Sequence, residues 1–280
     1  MRIINNIEEM QNYSKEQKRN RKTIAFVPTM GNLHLGHISL VKIARRKCDI
    51  LVVSLFVNPT QFGVGEDFDS YPRTFKEDKI KLEREGVDII FYPSEKEMYE
   101  NFKTSVYVDE YSSILCGISR PDHFRGVTTV VTKLFNIVKP DIALFGEKDA
   151  QQAFIIRKMV KDLNFDITIE TGEIIRESNG LAMSSRNSYL TDIQKKQASH
   201  IYKSLIGAKN LIMNGERDVK NIKNYICKII KDSGIGKIEY IEIVDDNSFN
   251  LIDSINDSIR ILIAVYVSKT RLIDNIKVDV

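Results

Sequence analysis

In the N-terminal part of the chain, short unbroken apolar runs alternate with stretches whose apolar residues recur at helical spacing. The runs Thr23–Val27 (TIAFV), Ile50–Val57 (ILVVSLFV), Val87–Tyr92, Ile142–Phe145 and Ile167–Ile175 read as buried strands. Between them, helices are predicted near His37–Cys48, Phe75–Glu85, Gly126–Val138 and Ala150–Leu163. A strand wetted on one face would alternate polar and apolar residues. Unbroken Val/Ile/Leu runs separated by helices instead indicate parallel strands covered on both faces. The expectation is a doubly wound, Rossmann-like α/β domain over residues 1–176.

Beyond that point the pattern changes. Thr191 with Gln194 three residues later has the form of a capping box, opening a helix that runs to about Asn214. A second helix is predicted over Val219–Ser233, then strands at Ile238–Val244, Ile259–Val267 and near Ile273–Val278. This predicts a smaller α+β domain or lid over residues 177–280, with the polar segment Glu177–Arg186 as the hinge.

Composition narrows the class without naming a chemistry. With 280 residues, 42% hydrophobic and 28% charged, the chain can bury a sizeable core without disulfides or metal. No apolar run approaches the roughly 20 residues of a membrane span, and the N-terminus lacks the apolar stretch of a secretory signal. The three cysteines, Cys48, Cys116 and Cys227, are far apart, so a reducing cytoplasm is expected. A net charge of +3 is too balanced to call for nucleic acid. The one basic run, KEQKRNRK from Lys15 to Lys22, reads as the solvated end of a first amphipathic helix. Neither a nucleic acid nor a membrane is expected as a partner.

Candidate chemistry gathers where predicted strands give way to helices. Pro28–His37 (PTMGNLHLGH) follows one strand and opens a helix, a place where backbone N–H groups and the helix dipole suit phosphate. His34 and His37, two of only four histidines, lie three apart on one turn and can reach the same phosphate chain. Asn58–Phe62 (NPTQF) follows the next strand and offers neutral donors and acceptors, with the long Gly63–Thr74 loop behind it as a lid. Gly146–Gln152 (GEKDAQQ) ends another strand and supplies a cation, Lys148, and an amide, Gln152. Met183–Arg186 (MSSR) brings two hydroxyls and a guanidinium. His123 and Arg125 lie at the start of a helix, where gating and loop packing are both open.

Taken in order, PTMGNLHLGH, NPTQF, YPRT, HFRGVTTVV, LFGEKDAQQ and GLAMSSRN resemble the pantothenate synthetase (pantoate–β-alanine ligase) family, from about Ile24 to Asn187. The HxGH element alone belongs to a wider nucleotidyltransferase superfamily, and NPTQF with GEKDAQQ narrows the match. Leu35 stands where the family usually carries an acidic residue, and Gly172-Glu173 replaces a proline-containing strand end.

The resemblance implies ligation of (R)-pantoate to β-alanine with ATP and Mg2+, releasing AMP and pyrophosphate through a bound pantoyl adenylate. It implies a homodimer. It assigns ATP contacts to Met30, Gly31, Asn32, Leu33, His34, Leu35, Gly36 and His37, to Gly146, Glu147, Lys148 and Asp149, and to Ile175, Met183, Ser184, Ser185 and Arg186. His37, His34 and Lys148 are the expected catalytic groups, with His37 as general acid. Gln61 and Gln152 are expected on pantoate, and Gln61 also on β-alanine. Magnesium is expected on ATP oxygens and water, with Glu77 or Asp78 as the candidate protein ligand. A nucleotidyltransferase acting on a phosphorylated acceptor would need cations where Gln61 and Gln152 are neutral, and an RNA-binding protein would need more positive charge.

Overall fold

The computed structural model describes residues 1–280. The first unit contains β1 (Arg2–Ile4), α1 (Ile7–Arg19), β2 (Ile24–Thr29), α2 (Leu35–Arg45), β3 (Ile50–Leu55), α3 (Phe75–Arg84) and β4 (Ile89–Phe91). It continues through α4 (Glu95–Tyr99), α5 (Cys116–Ser119), α6 (His123–Val138), β5 (Ile142–Gly146), α7 (Ala150–Asp162) and β6 (Thr168–Gly172). The second contains α8 (Asp192–Met213), α9 (Val219–Asp232), β7 (Lys237–Asp245), β8 (Ile259–Val267) and β9 (Thr270–Val278). The division falls at Glu173/Ile174 instead of the expected 176/177, and Lys148–Ala150 belong to the second unit.

The first unit is a six-stranded, wholly parallel sheet in the order β1-β4-β3-β2-β5-β6. Ala25, Val27, Leu51, Val53, Ile90 and Leu144 have no exposed surface, as the unbroken apolar runs require. From β2 the chain steps outward through β3 to β4, then returns to place β5 on the other flank of β2. The switch point therefore lies between β2 and β5, and ligands of open α/β sheets bind beyond the carboxyl ends at that point. Helix α6 buries Phe124, Val127, Val131, Leu134, Phe135 and Val138, a stripe of helical period facing the core.

The second unit is an antiparallel sheet in the order β7-β8-β9. Helices α8 and α9 contribute Ile201, Leu205, Ala208, Ile222, Ile226 and Ile230 to one core with Ile243, Ile261, Ile263, Leu272 and Val278. The capping box forms as expected: the Gln194 N–H donates to Thr191 Oγ1 at 3.3 Å and the Thr191 N–H to Gln194 Oε1 at 2.9 Å.

The differences from expectation are local. Strand β1 was not foreseen because three residues carry too little pattern. Helix α2 starts at Leu35, since His34 is itself the N-cap, and α6 starts at His123, ahead of its apolar stripe. Strand β6 stops at Gly172, where its pairing with β5 runs out.

Candidate active site

The loop between β2 and α2 is closed by its own polar groups. Gly31, at φ +84, and Asn32, at φ +49, make the left-handed turn that leaves the sheet, and glycine adopts this conformation without strain. The Gly31 N–H donates to Thr29 Oγ1 at 3.2 Å, and that hydroxyl donates to Ser54 O on β3. Next, the Gly36 N–H donates to His34 Nδ1 at 3.1 Å and the His34 N–H to His37 Nδ1 at 3.2 Å. The two histidines thus form a reciprocal capping box, their ring centroids 4.0 Å apart. Each ring accepts at Nδ1, so in this arrangement each is a neutral imidazole carrying its proton on Nε2.

This revises the expected role of the helix N-terminus. The amides of Gly36, His37 and Ile38 are already satisfied by His34, the latter two through its carbonyl at 2.9 and 3.1 Å. The backbone amides at the start of α2 are thus taken up within the turn, where the two imidazoles pack against each other.

Asp78, on α3, holds the same loop from behind. Its carboxylate accepts the Asn32 and Leu33 N–H groups, each at 2.8 Å, and the Thr74 hydroxyl at 3.1 Å. Lys81, one turn later, donates to Leu33 O at 2.6 Å. Asp78 is 1% exposed, and its loop contacts make it a clamp; Glu77 is exposed beside it. The sequence offers Glu77 or Asp78 as a magnesium ligand or as a plain exposed helix carboxylate, and Asp78 is neither exposed nor uncommitted. The missed signal is its place on the buried stripe of α3, where Leu82 follows on the same face.

The Asn58–Phe62 turn is built with equal care. Buried Asn58 donates through Nδ2 to Gln61 Oε1 at 3.1 Å and to Gly126 O at 3.2 Å. Its Oδ1 accepts the Tyr99 hydroxyl at 2.6 Å and the Thr60 hydroxyl at 3.0 Å. Burial pushes the Tyr99 phenol up to about 12, so it stays a donor at neutral pH. With Oε1 engaged, Gln61 presents Nε2 as a donor, 3.0 Å from Met30 Sδ. The structure thereby brings together Met30 and Gln61 from two different strand ends.

Helix α6 presses on this turn. A Cβ at Gly126 would lie 2.2 Å from Thr60 O and 2.6 Å from Gln61 N, so only glycine permits the approach. His123 Nδ1 lies 2.9 Å from Gln61 O, and Arg120 Nη2 donates to the same carbonyl at 3.3 Å. His123 therefore shapes the turn, whereas Arg125 is exposed and donates to Ser105 Oγ at 3.1 Å.

Arg120 also forks onto Glu66 at 2.6 and 2.7 Å, tethering the Gly63–Thr74 loop. Burial works against the Glu66 carboxylate, but the Arg120 guanidinium overcomes it and holds the group below its usual range. On α7 the two neighbouring glutamines divide their tasks. Gln151 is buried, accepting the Cys116 N–H at 3.1 Å and donating to Tyr111 O and Ile114 O. Gln152 is half-buried, which leaves it as the glutamine available to a ligand.

In the second unit, Lys148 and Asp149 are half-buried in a short helical turn over Glu147–Asp149. The segment after β6 folds back on itself: the Met183 N–H donates to Ile175 O at 2.9 Å and the Glu177 N–H to Leu181 O at 2.8 Å. Ser184 then caps a turn over Ser185–Tyr189, accepting the Arg186 N–H at 3.3 Å. Ile175, Met183, Ser184, Ser185 and Arg186 are all half-buried along this hairpin.

A family model described as Pantoate-beta-alanine ligase matches residues 2–277. The chain is 55% identical over 282 residues to a pantothenate synthetase of Fervidobacterium nodosum, covering all of both chains. It is 51% identical over 280 residues to one of Caldicellulosiruptor bescii, covering 100% of this chain and 99% of that one. Among solved structures, a pantothenate synthetase of Thermus thermophilus superposes with a TM-score of 0.94 at 38% identity, covering 99% of each chain. A pantoate–β-alanine ligase of Francisella tularensis, complexed with β,γ-ATP and β-alanine, superposes with a TM-score of 0.81 at 36% identity, covering 99% of this chain and 97% of that one. With the family model, the curated relatives and the whole fold in agreement, the chain belongs to the pantoate–β-alanine ligase family.

Proposed function

We propose that the chain joins (R)-pantoate to β-alanine with ATP, giving pantothenate, AMP and pyrophosphate. A carboxylate is a poor acyl donor, so it is first activated. A pantoate carboxylate oxygen attacks the α-phosphorus as the bond to the β-phosphate oxygen breaks and pyrophosphate leaves. The β-alanine amine then attacks the acyl carbon, the carbon–oxygen bond to AMP breaks, and the amine proton passes to solvent. No side-chain nucleophile is needed; rate comes from positioning and from donors aimed at developing phosphate charge.

The observation that carries this reading is the histidine capping box. Two neutral rings, fixed at Nδ1 by backbone N–H groups, offer paired Nε2–H donors at the carboxyl end of β2. His34 and His37 act on the ATP phosphates, and His37 donates to the departing pyrophosphate. Lys148, Ser184, Ser185 and Arg186 complete the phosphate contacts. Met30 through His37, Gly146 through Asp149, Ile175 and Met183 border the nucleotide, and Asp149 serves the ribose. Gln61 and Gln152 hold pantoate, with Gln61 also reaching β-alanine.

Magnesium arrives with ATP as its phosphate complex. No group of three or more His, Cys, Asp or Glu side chains could hold a cation, and Asp78 is committed to the loop. On this reading phosphate oxygens and water would carry most of the ion's coordination, with Glu77 the carboxylate left to approach it. No helix is long and apolar enough to cross a membrane. With its three cysteines unpaired, the reading is completed by the cytoplasm and, from the family, a homodimer.

The test is isotope exchange with substrates omitted. ATP, Mg2+ and pantoate without amine should exchange labelled pyrophosphate into ATP, and pantothenate should form only when β-alanine is added. Exchange that ignores pantoate would overturn the reading.

A further inference from the structure

The second unit supplies its phosphate-facing groups from two distant stretches, Lys148 and Ser184–Arg186. The structure ties both to adjacent residues of one edge strand, β9. Asp274 occupies a core-facing position between Leu272 and Val278, where alternation calls for an apolar residue. It is 3% exposed and takes the Arg176 guanidinium at both oxygens, at 2.6 and 3.0 Å. Arg176 stands at the base of the hairpin. It also donates to Gly180 O at 3.2 Å and lies 3.7 Å from the centroid of the Tyr202 ring. The hairpin closes through the Arg176–Ala182 bridge, and its far end is fixed by Asn187, which donates to Ala182 O at 3.1 Å and Glu177 Oε1 at 2.7 Å.

The next residue points to the opposite face of the sheet. Asn275, 1% exposed, donates through Nδ2 to Lys148 O at 3.0 Å. Its Oδ1 accepts Arg260 Nη1 at 2.7 Å, and Arg260 Nε is held by Asp246 at 2.7 Å. Asp274 Oδ1 accepts the Asn275 N–H at 2.8 Å, linking the two anchors. A buried aspartate and a buried asparagine, neither required by the sheet, thus grip the hairpin on one side and the Lys148 backbone on the other.

We propose that Asp274 and Asn275 are positioning residues for ATP, setting Lys148 and Ser184–Arg186 at a fixed spacing before the nucleotide binds. This rests on the reading that Lys148 and the Ser184–Arg186 turn meet the phosphates. A cage held ready avoids the cost of ordering two loops during catalysis.

The test uses the full-length enzyme and initial rates of pyrophosphate exchange. Asn275→Asp keeps the acceptor for Arg260 but removes the donor to Lys148 O. It should raise the KM for ATP about tenfold, as loss of one buried hydrogen bond does, and leave the KM for pantoate within about twofold. Lys148→Ala, made alongside, tests the underlying reading. In the double variant Asn275→Asp/Lys148→Ala, the asparagine change should add little, because the group it positions is gone.

If Lys148→Ala weakens ATP use but Asn275→Asp leaves the ATP KM unchanged, or if the two effects simply add, the positioning role is overturned while the phosphate reading stands. If Lys148→Ala itself is without effect, the phosphate reading falls and takes the proposal with it. Arg176→Lys, which keeps the charge but loses the two-point contact, tests the hairpin anchor and applies even if the Asn275 variant does not fold. It should raise the ATP KM with pantoate little changed, and an equal loss for both substrates would overturn the hairpin role.

Discussion

The two units hold the groups proposed to meet ligand by opposite means. In the first, a loop fastens itself: His34 and His37 cap their own helix, and one carboxylate from α3 secures the turn before it. In the second, a short hairpin and a helical turn are tied to a sheet edge by contacts spanning 98 and 127 residues. A self-fastened loop carries its instructions in one short motif. A loop fastened from afar carries them in residues that look unremarkable in sequence. The first arrangement should concentrate its sensitivity in few side chains, and the second should spread it.

The sharpest test of that concentration is His37→Ala. It removes the donor proposed to meet developing phosphate charge and the acceptor that caps His34, and adenylation should slow by on the order of a hundredfold or more. The thermal midpoint should fall only modestly, by the loss of one capping contact of about 1 kcal/mol, since His37 is outside the buried core. A normal single-turnover rate would show that the capping box is architectural only.

Asp78→Asn comes next. The substituted amide turns an N–H toward a backbone N–H, leaving one buried donor unpaired at a cost of about 2 kcal/mol to folding, and the displaced loop should lower kcat/KM for ATP by on the order of tenfold. Restoration by neither Asp78→Glu nor added Mg2+ is expected, because reach and register matter there. Recovery in excess Mg2+ would return Asp78 to the role of metal ligand and break the comparison.

Much of the fold was legible because buried parallel strands and amphipathic helices advertise themselves in period and length. Thr191 and Gln194 announced the start of α8, and the boundaries of β7, β8 and β9 were close. Strand β1, with only Arg2–Ile4 to show, was not legible. In the site, spacing identified His34, His37, Gln61 and Lys148 as candidates but could not reveal what orients them. Asp78 and Asp274 each interrupt an apolar face, one on a helix and one on a strand. That polar intrusion is a readable sign, but its partner cannot be named without the fold. Spacing also overestimated the free amides at the start of α2, since it cannot show that the histidine rings turn back to occupy them.

The paired glutamines of α7 give a smaller contrast. Gln152→Ala should weaken pantoate by about 1–3 kcal/mol with ATP little affected, read by calorimetry. Gln151→Ala should lower the thermal midpoint instead, because three backbone groups lose their partner. Exchanged phenotypes would reverse the assignment.

The smallest effect concerns the Glu66–Arg120 tether. Glu66 is held below its ordinary value when folded, so its contribution is full above the ordinary carboxylate range. It is lost as pH falls through the folded-state value. Limited proteolysis between about pH 6 and about pH 3 should find the Gly63–Thr74 loop increasingly cleavable on acidification. Glu66→Gln should flatten that dependence, and an unchanged profile in this variant would assign it elsewhere.

The bond from Asn275 to Lys148 also fixes a calendar for a chain emerging from the ribosome. Residues of the parallel sheet are all synthesised by Gly172, so that sheet can close early. Lys148, made before β6, must wait for a partner 127 residues later, on the order of ten seconds at ordinary rates of synthesis. A nascent chain can therefore hold a finished parallel sheet while Lys148 is still unfastened, and, on the proposed phosphate role of Lys148, full affinity for ATP should appear only after β9 has left the exit tunnel.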